Sequence, residues 1–168
     1  MDTKKIIAEA KKLGLCKEWL DDFQKNGSLE HLCEKFFEGS DWALENNFPS
    51  LELLKEFPGA KHGLHLDYKG KPITIDNAKG QLAFFGKSKA EINVTGFAVL
   101  EIYARHDSKI KIKADNNAIV KATIIDNASV QVECTDEASA SVFIHGDEPH
   151  YNITGKVNVL QSTFKNEK

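Results

Sequence analysis

Residues 87–136 read, in blocks of ten, KSKAEINVTG, FAVLEIYARH, DSKIKIKADN, NAIVKATIID and NASVQVECTD. The second residue of each block is small (Ser88, Ala98, Ser108, Ala118, Ala128), and the series extends back to Ala78 and on to Ala138. Just ahead of it stand Asn77, Lys87, Phe97, Asp107, Asn117, Asn127, Glu137 and Asp147, mostly residues that tolerate turn dihedrals or bond the local backbone. Apolar residues then alternate: Leu82 and Phe84; Ile92 and Val94; Leu100, Ile102 and Ala104; Ile110, Ile112 and Ala114; Val120, Ala122 and Ile124; Val130, Val132 and Cys134; Ala140, Val142 and Ile144. Period two inside period ten means one half-buried strand and one tight turn per repeat.

The outward residues choose between architectures. In one set of repeats they are polar throughout: Glu91, Asn93, Thr95; Lys111, Lys113, Asp115; Gln131, Glu133, Thr135. The intervening set carries Ala83, Phe85, Tyr103, Ile125 and Phe143 among Gln81, Glu101, Arg105, Lys121, Thr123, Ser141 and His145. The chemical period is therefore twenty, as expected of a coil that sends alternate strands to opposite walls. The fold class expected is α+β with a β-solenoid of decapeptide repeats over 60–160, regular over 76–147; a β-sandwich is the alternative. About three to four coils at about 4.8 Å per layer give a body about 15 to 20 Å high.

Working outward, Leu64, Leu66 and Tyr68, then Lys69-Gly70-Lys71-Pro72, then Ile73 and Ile75 predict a hairpin leading into the repeat. At the other end the rhythm fails at Glu148-Pro149, and Tyr151, Ile153, Val157 and Val159 shift parity, predicting a closing strand pair before a frayed tail at 161–168. Residues 1–59 follow a helical period instead: Ile6, Ile7, Ala10, Leu13; Cys16, Trp19, Leu20, Phe23; Leu29, Leu32, Cys33, Phe36, Phe37; Leu51, Leu54, Phe57. Gly14 and Gly39 are placed to end helices in the left-handed conformation, Ser28, Ser40 and Ser50 to cap them, and Pro58-Gly59 to stop the last. Four or five short helices in a small bundle are expected.

The composition agrees with two differently built halves, since the first 60 residues hold 7 of the 15 aromatics and both tryptophans. A net charge of −3 lacks the footprint of a general nucleic-acid binder. No apolar run reaches membrane-spanning length and the first residues lack a signal-peptide core, so a cytoplasmic, soluble chain is expected. Cys16, Cys33 and Cys134 are odd in number without CxxC spacing, which favours small buried thiols over disulfides or zinc.

No catalytic motif, metal site or cofactor signature is expected. His145-Gly146-Asp147-Glu148-Pro149-His150 gathers metal-ligand types, but it stands where the repeat breaks and reads as a polar turn. His62 and His65 read as surface histidines, and Asp76, Asp107, Asp126, Asp136 and Asp147 as turn formers rather than a calcium ladder.

Residues 16–20 (CKEWL), 28–37 (SLEHLCEKFF), 41–50 (DWALENNFPS), 99–108 (VLEIYARHDS) and 126–132 (DNASVQV) together resemble a group of short proteins encoded by phages and prophages of Bacteroides-type gut bacteria. The resemblance brings no site residues; it implies a virion or assembly component, or a factor that counters a host defence. The leading expectation is thus a non-enzymatic structural or interaction protein. It would form homo-oligomers through an outer face of Phe85, Tyr103, Ile125 and Phe143, with phage structural proteins as further partners and a place in the virion. The alternative, from a different class, sequesters a small ligand such as a nucleotide signal, using Arg105, His106, Lys121 and His145. A metal-dependent hydrolase built on residues 145–150 is the third.

Overall fold

In the computed structural model the described residues are 4–56, 59–67, 69–145 and 150–162. The chain divides into two compact units, residues 1–64 and 65–168.

The second unit is a β-solenoid. One sheet has six strands: β1 (Leu64–Asp67), β3 (Gly80–Gly86), β5 (Val99–Ala104), β7 (Ile119–Ile125), β9 (Ser139–His145) and β11 (Val157–Ser162). The other has five: β2 (Pro72–Ile75), β4 (Lys89–Val94), β6 (Lys109–Ala114), β8 (Ser129–Cys134) and β10 (His150–Thr154). Each strand pairs in parallel with the strand two places on, so Leu100 stands opposite Val120 and Ile110 opposite Val130. The period of twenty is this register. Inward residues stack in columns and form one continuous core, with Phe84, Ile92, Leu100, Ile102, Ile110 and Ile112 almost fully buried. Large and small residues alternate within it, Phe84 lying against Ala104 and Ala90 against Ile110.

Two expectations are corrected at the ends. The segment 64–75 is not a hairpin: β1 and β2 lie in different sheets and β2 pairs with β4, so it forms a first coil. Likewise β10 and β11 are further rungs on β8 and β9 rather than a closing pair. The body is accordingly taller than the regular repeat alone implies. The parity shift is real and has a register cause, since Tyr151 stands opposite Val130 and Val157 opposite Ala140, neither at the spacing of twenty. Gly155 makes the tight turn between them, at φ +88° and so close to the Cys134 carbonyl that a Cβ has no room. Residues 1–3, Phe57, Pro58, Tyr68, residues 146–149 with Asp147 between His145 and His150, and the tail from 163 lie outside the described residues.

The expected turn series lies in the turns, and at most of them the left-handed residue is the one just ahead of it: Gly86, Gly96, His106, Asn116, Asp126 and Asp136 have φ between 55° and 72°, while Asn77 of the series itself has φ 54°. At three of them the side chain accounts for the choice of residue. His106 Nδ1 accepts from the Gly86 N–H (3.3 Å), Asp126 Oδ2 from the His106 N–H (3.3 Å) and Asp136 Oδ2 from the Asn116 N–H (3.1 Å). Each acceptor folds back to satisfy a turn donor one coil earlier, which a Gly or Ala there would leave to water.

The first unit contains α1 (Lys4–Lys12), α2 (Lys17–Lys25), α3 (Leu29–Glu38), α4 (Ser40–Glu45) and α5 (Leu51–Glu56). Ser28 caps α3 by accepting from the His31 N–H, and Ser50 is held by the Glu9 carboxylate at 2.8 Å from both its N–H and its hydroxyl. Gly14 ends α1 in the left-handed region, whereas Gly39 does not, at φ −106°. Gly39 instead admits the Trp19 ring, which would lie 2.9 Å from a Cβ. Cys33 is buried, its thiol pushed up to about 11 by burial and then by Glu34, while Cys16 is exposed against expectation. Among the described residues no helix is long and apolar enough to cross a membrane.

Candidate interaction surfaces

The four residues expected to hold a small ligand do not converge. Arg105 and His106 lie in the turn after β5, where Arg105 Nε pairs with Asp126 Oδ2 at 2.9 Å. His145 ends β9, two rungs from Arg105 through Ile125, or about 10 Å at the spacing of strands. Lys121 stands four residues before Ile125 in β7, about 13 Å along the strand. Its ammonium donates to Glu101 Oε1 (2.8 Å) and lies 5.5 Å from the centre of the Phe143 ring. Burial works to raise the Glu101 carboxyl, but hydrogen bonds from Lys121, Gln81 and Tyr103 outweigh it and hold the group below the usual carboxylate value. His106 is held below the ordinary imidazole value by burial and then by Arg105, against the pull of Asp126 and Asp107. Its Nδ1 is spent as an acceptor, which fixes the neutral Nε2–H tautomer.

The apolar wall is graded along its strands. Val99 and Ile119 at the strand starts are exposed, Glu101 is half-buried, and Ala83, Phe85, Tyr103, Thr123 and Ile125 toward the strand ends are buried; Phe143 is half-buried. The opposite wall is polar and exposed, with Lys111 Nζ 3.3 Å from Glu91 Oε1. A groove of about 510 Å³ crosses it between Lys89, Lys109, Lys111, Gln131 and Tyr151.

Two features escaped the sequence. Phe97, counted there as one turn residue among eight, is 86% exposed. It stands two residues before Val99, whose neighbour on the next rung is Ile119, so three exposed apolar side chains share one corner of the solenoid. The equivalents of Phe97 in neighbouring coils are Asn77 and Asn117. The signal available was the one aromatic in an otherwise polar turn series. The second feature is a pocket of about 340 Å³ within the helical unit, lined by Trp19, Phe23, Phe36, Trp42 and Phe48. Lys35 stands at it with Nζ 5.1 Å from the centre of the Trp19 ring and 2.5 Å from Glu38 Oε2. Helical spacing assigned Trp19, Phe23 and Phe36 to a filled core and left Trp42 and Phe48 outside its stripes; the cavity the five line is a matter of packing.

Among the described residues no group of three or more His, Cys, Asp or Glu is placed to hold a metal ion. Compared with family models, curated proteins and solved structures, the chain matches none.

Proposed function

We propose that this chain is a non-enzymatic interaction protein, in which the solenoid is a rigid scaffold presenting Phe97, Val99 and Ile119 to an apolar segment of another polypeptide. The observation that carries the reading is Phe97, a large aromatic left in water at a turn where its counterparts are polar. Such a side chain costs solubility and contributes nothing to the core, which is the mark of a docking residue. Three polar groups near the repeat are tied into the scaffold: Arg105 pairs with Asp126, His106 Nδ1 accepts from the Gly86 N–H, and Lys121 donates to Glu101. The resemblance to phage-encoded chains would make the partner a virion or host-defence protein.

A photoreactive phenylalanine analogue in place of Phe97 tests this during expression in the native host. One discrete cross-linked adduct is expected, absent when the analogue replaces exposed Glu133 and abolished by Ile119→Lys. No adduct, or the same adducts from both positions, sinks the reading.

A second reading, small-ligand sequestration, is favoured by the helical pocket rather than by Arg105, His106, Lys121 and His145. Its volume and aromatic lining with one cationic neighbour suit a planar organic molecule. Tryptophan fluorescence reports it directly, because both tryptophans line the pocket. Titration with 1-anilinonaphthalene-8-sulfonate should quench saturably with one site, and Trp42→Ala should remove the site; non-saturating quenching rejects it.

A further inference from the structure

We infer that the groove on the outer wall of the five-stranded sheet binds the phosphate group of a small molecule, held between Lys89 and Lys109. The register of the strands carries the inference. Where charged residues face each other on neighbouring strands the signs are opposite: Glu91 with Lys111, Lys113 with Glu133, Glu101 with Lys121. Among the described residues the one exception is Lys89, which stands opposite Lys109. Like charges facing each other across a ladder are destabilising, yet here two lysines start from backbones about 4.8 Å apart. Neither has a hydrogen bond or ion pair among the described residues, whereas Lys111 and Lys121 are engaged with Glu91 and Glu101.

The cavity is the second observation. Both lysines are exposed, and both line the groove of about 510 Å³ together with Lys111 and Ser129. Ser129 follows Lys109 one rung on in the same column, which adds a hydroxyl donor to the two ammonium groups. The one carboxylate among the described residues lining the groove, Glu91, is taken up by Lys111 at 3.3 Å. A single group with two negative charges compensates both lysines and leaves oxygens for the hydroxyl. A phosphate monoester is such a group at neutral pH, while a carboxylate would leave one ammonium uncompensated. The ligand is small, because a long polyanion lying along this wall would meet the exposed Glu91 and Glu133. The groove has room for the organic part of a monoester. The site is separate from the Phe97 corner and from the Trp19–Trp42 pocket, and it stands whether or not either of them is occupied.

Isothermal titration calorimetry of the full chain at low ionic strength tests it with two probes, inorganic phosphate and adenosine 5′-monophosphate. Each should bind saturably at a single site and displace the other. Lys109→Glu should weaken both by about tenfold or more. Because it sets a carboxylate opposite Lys89, as at the other facing pairs, its urea midpoint should not fall. Lys89→Gln should also weaken both, with unchanged far-ultraviolet dichroism. Lys79→Glu changes the net charge equally at an exposed residue outside the groove and should leave both affinities as they are. Equal affinity for the two probes upholds the site for the free anion; tighter binding of the nucleotide upholds it for a monoester whose organic part lies in the groove. Lack of saturable binding by either probe overturns the inference. So does binding that survives Lys109→Glu and Lys89→Gln, or an equal loss in Lys79→Glu.

Discussion

The helical unit and the solenoid bury apolar surface by opposite means. In the helical unit each contact is unique: Trp19 meets Phe23 edge-on with centroids 6.4 Å apart, Trp42 meets Phe48 at 5.4 Å, and single caps such as Ser28 fix helix ends. The solenoid repeats one arrangement every twenty residues, with mostly small and medium side chains in columns and acceptors at His106, Asp126 and Asp136 folded back on the coil before. The difference teaches where a change is felt. A bundle residue has no counterpart to share its loss, whereas a solenoid residue sits in a column whose neighbours above and below respond alike.

The comparison breaks first where the solenoid departs from its own rule. Phe84 is a large ring in a column of smaller residues, stacked 5.0 Å from His65 at 13°. Phe84→Ala should cost about 3–5 kcal/mol in urea unfolding followed by strand dichroism. A loss near that of an ordinary Ile→Val change would show that the repeat repacks around it.

The turn ladder gives the next effect. Asp126→Ala strips the acceptor from both Arg105 and the His106 N–H and should cost about 2 kcal/mol; Asp136→Ala, which leaves the Asn116 N–H, about 1 kcal/mol. Equal losses would mean that the left-handed backbone alone sets the cost.

Acid separates the units chemically. His65 is held low by burial, and His106 by burial and then Arg105, so both are neutral when folded at pH 7. The unfolded chain takes up these protons near its ordinary value of about 6.5. Stability from this source is therefore complete above about pH 6.5, falls as the pH drops below it, and levels off beneath the folded values. His106→Asn keeps an acceptor for the Gly86 N–H and should flatten the fall measured by urea midpoints. An unchanged slope would remove His106 as its source.

Two smaller changes should move in opposite directions. Ser108 is fully buried, and among the described residues its Oγ has no hydrogen-bond partner, unlike Ser88 in the same series, whose hydroxyl donates to the Phe85 carbonyl at 2.7 Å; the other members are Ala. Ser108→Ala should raise stability by about 1 kcal/mol. Ser28→Ala should lower that of the helical unit by about 1 kcal/mol, read from tryptophan fluorescence. A neutral Ser108→Ala would point to a bound water in the turn.

Much of the solenoid was legible because its information is local. Leu100, Ile102 and Ala104 alternate within one strand, and Val120, Ala122 and Ile124 repeat them twenty residues on, so the inward face and the coil length are both readable in line. The turn series fell in the turns, but which turn residue takes the left-handed backbone was not legible, because Asn116 and Asn117, or Asp126 and Asn127, are adjacent residues of similar kind. Leu64 to Ile75 looked like a hairpin because the pairing of strands next to each other in sequence is the local solution, while β2 finds its partner in β4 across an intervening strand. The candidate sites were less legible. Arg105, His106, Lys121 and His145 were chosen as polar types near the repeat, and their separation follows from rungs and strand positions. Phe97 and the Trp19–Trp42 pocket depend on which side chains find neighbours.

The sequence by itself determined the two kinds of unit, the rung length and the face each strand residue takes, because backbone periodicity and side-chain alternation are properties of a few consecutive residues. Only the tertiary structure decided that the apolar wall is exposed at Val99 and buried at Tyr103 and Ile125, and that Phe97 stands in water while Tyr151 and Ile153, though they extend inward columns, are exposed. Burial and edges are set by contacts between residues far apart in the chain. A repeat carries the same local pattern in its middle and at its ends, so pattern alone does not distinguish a buried position from an exposed one.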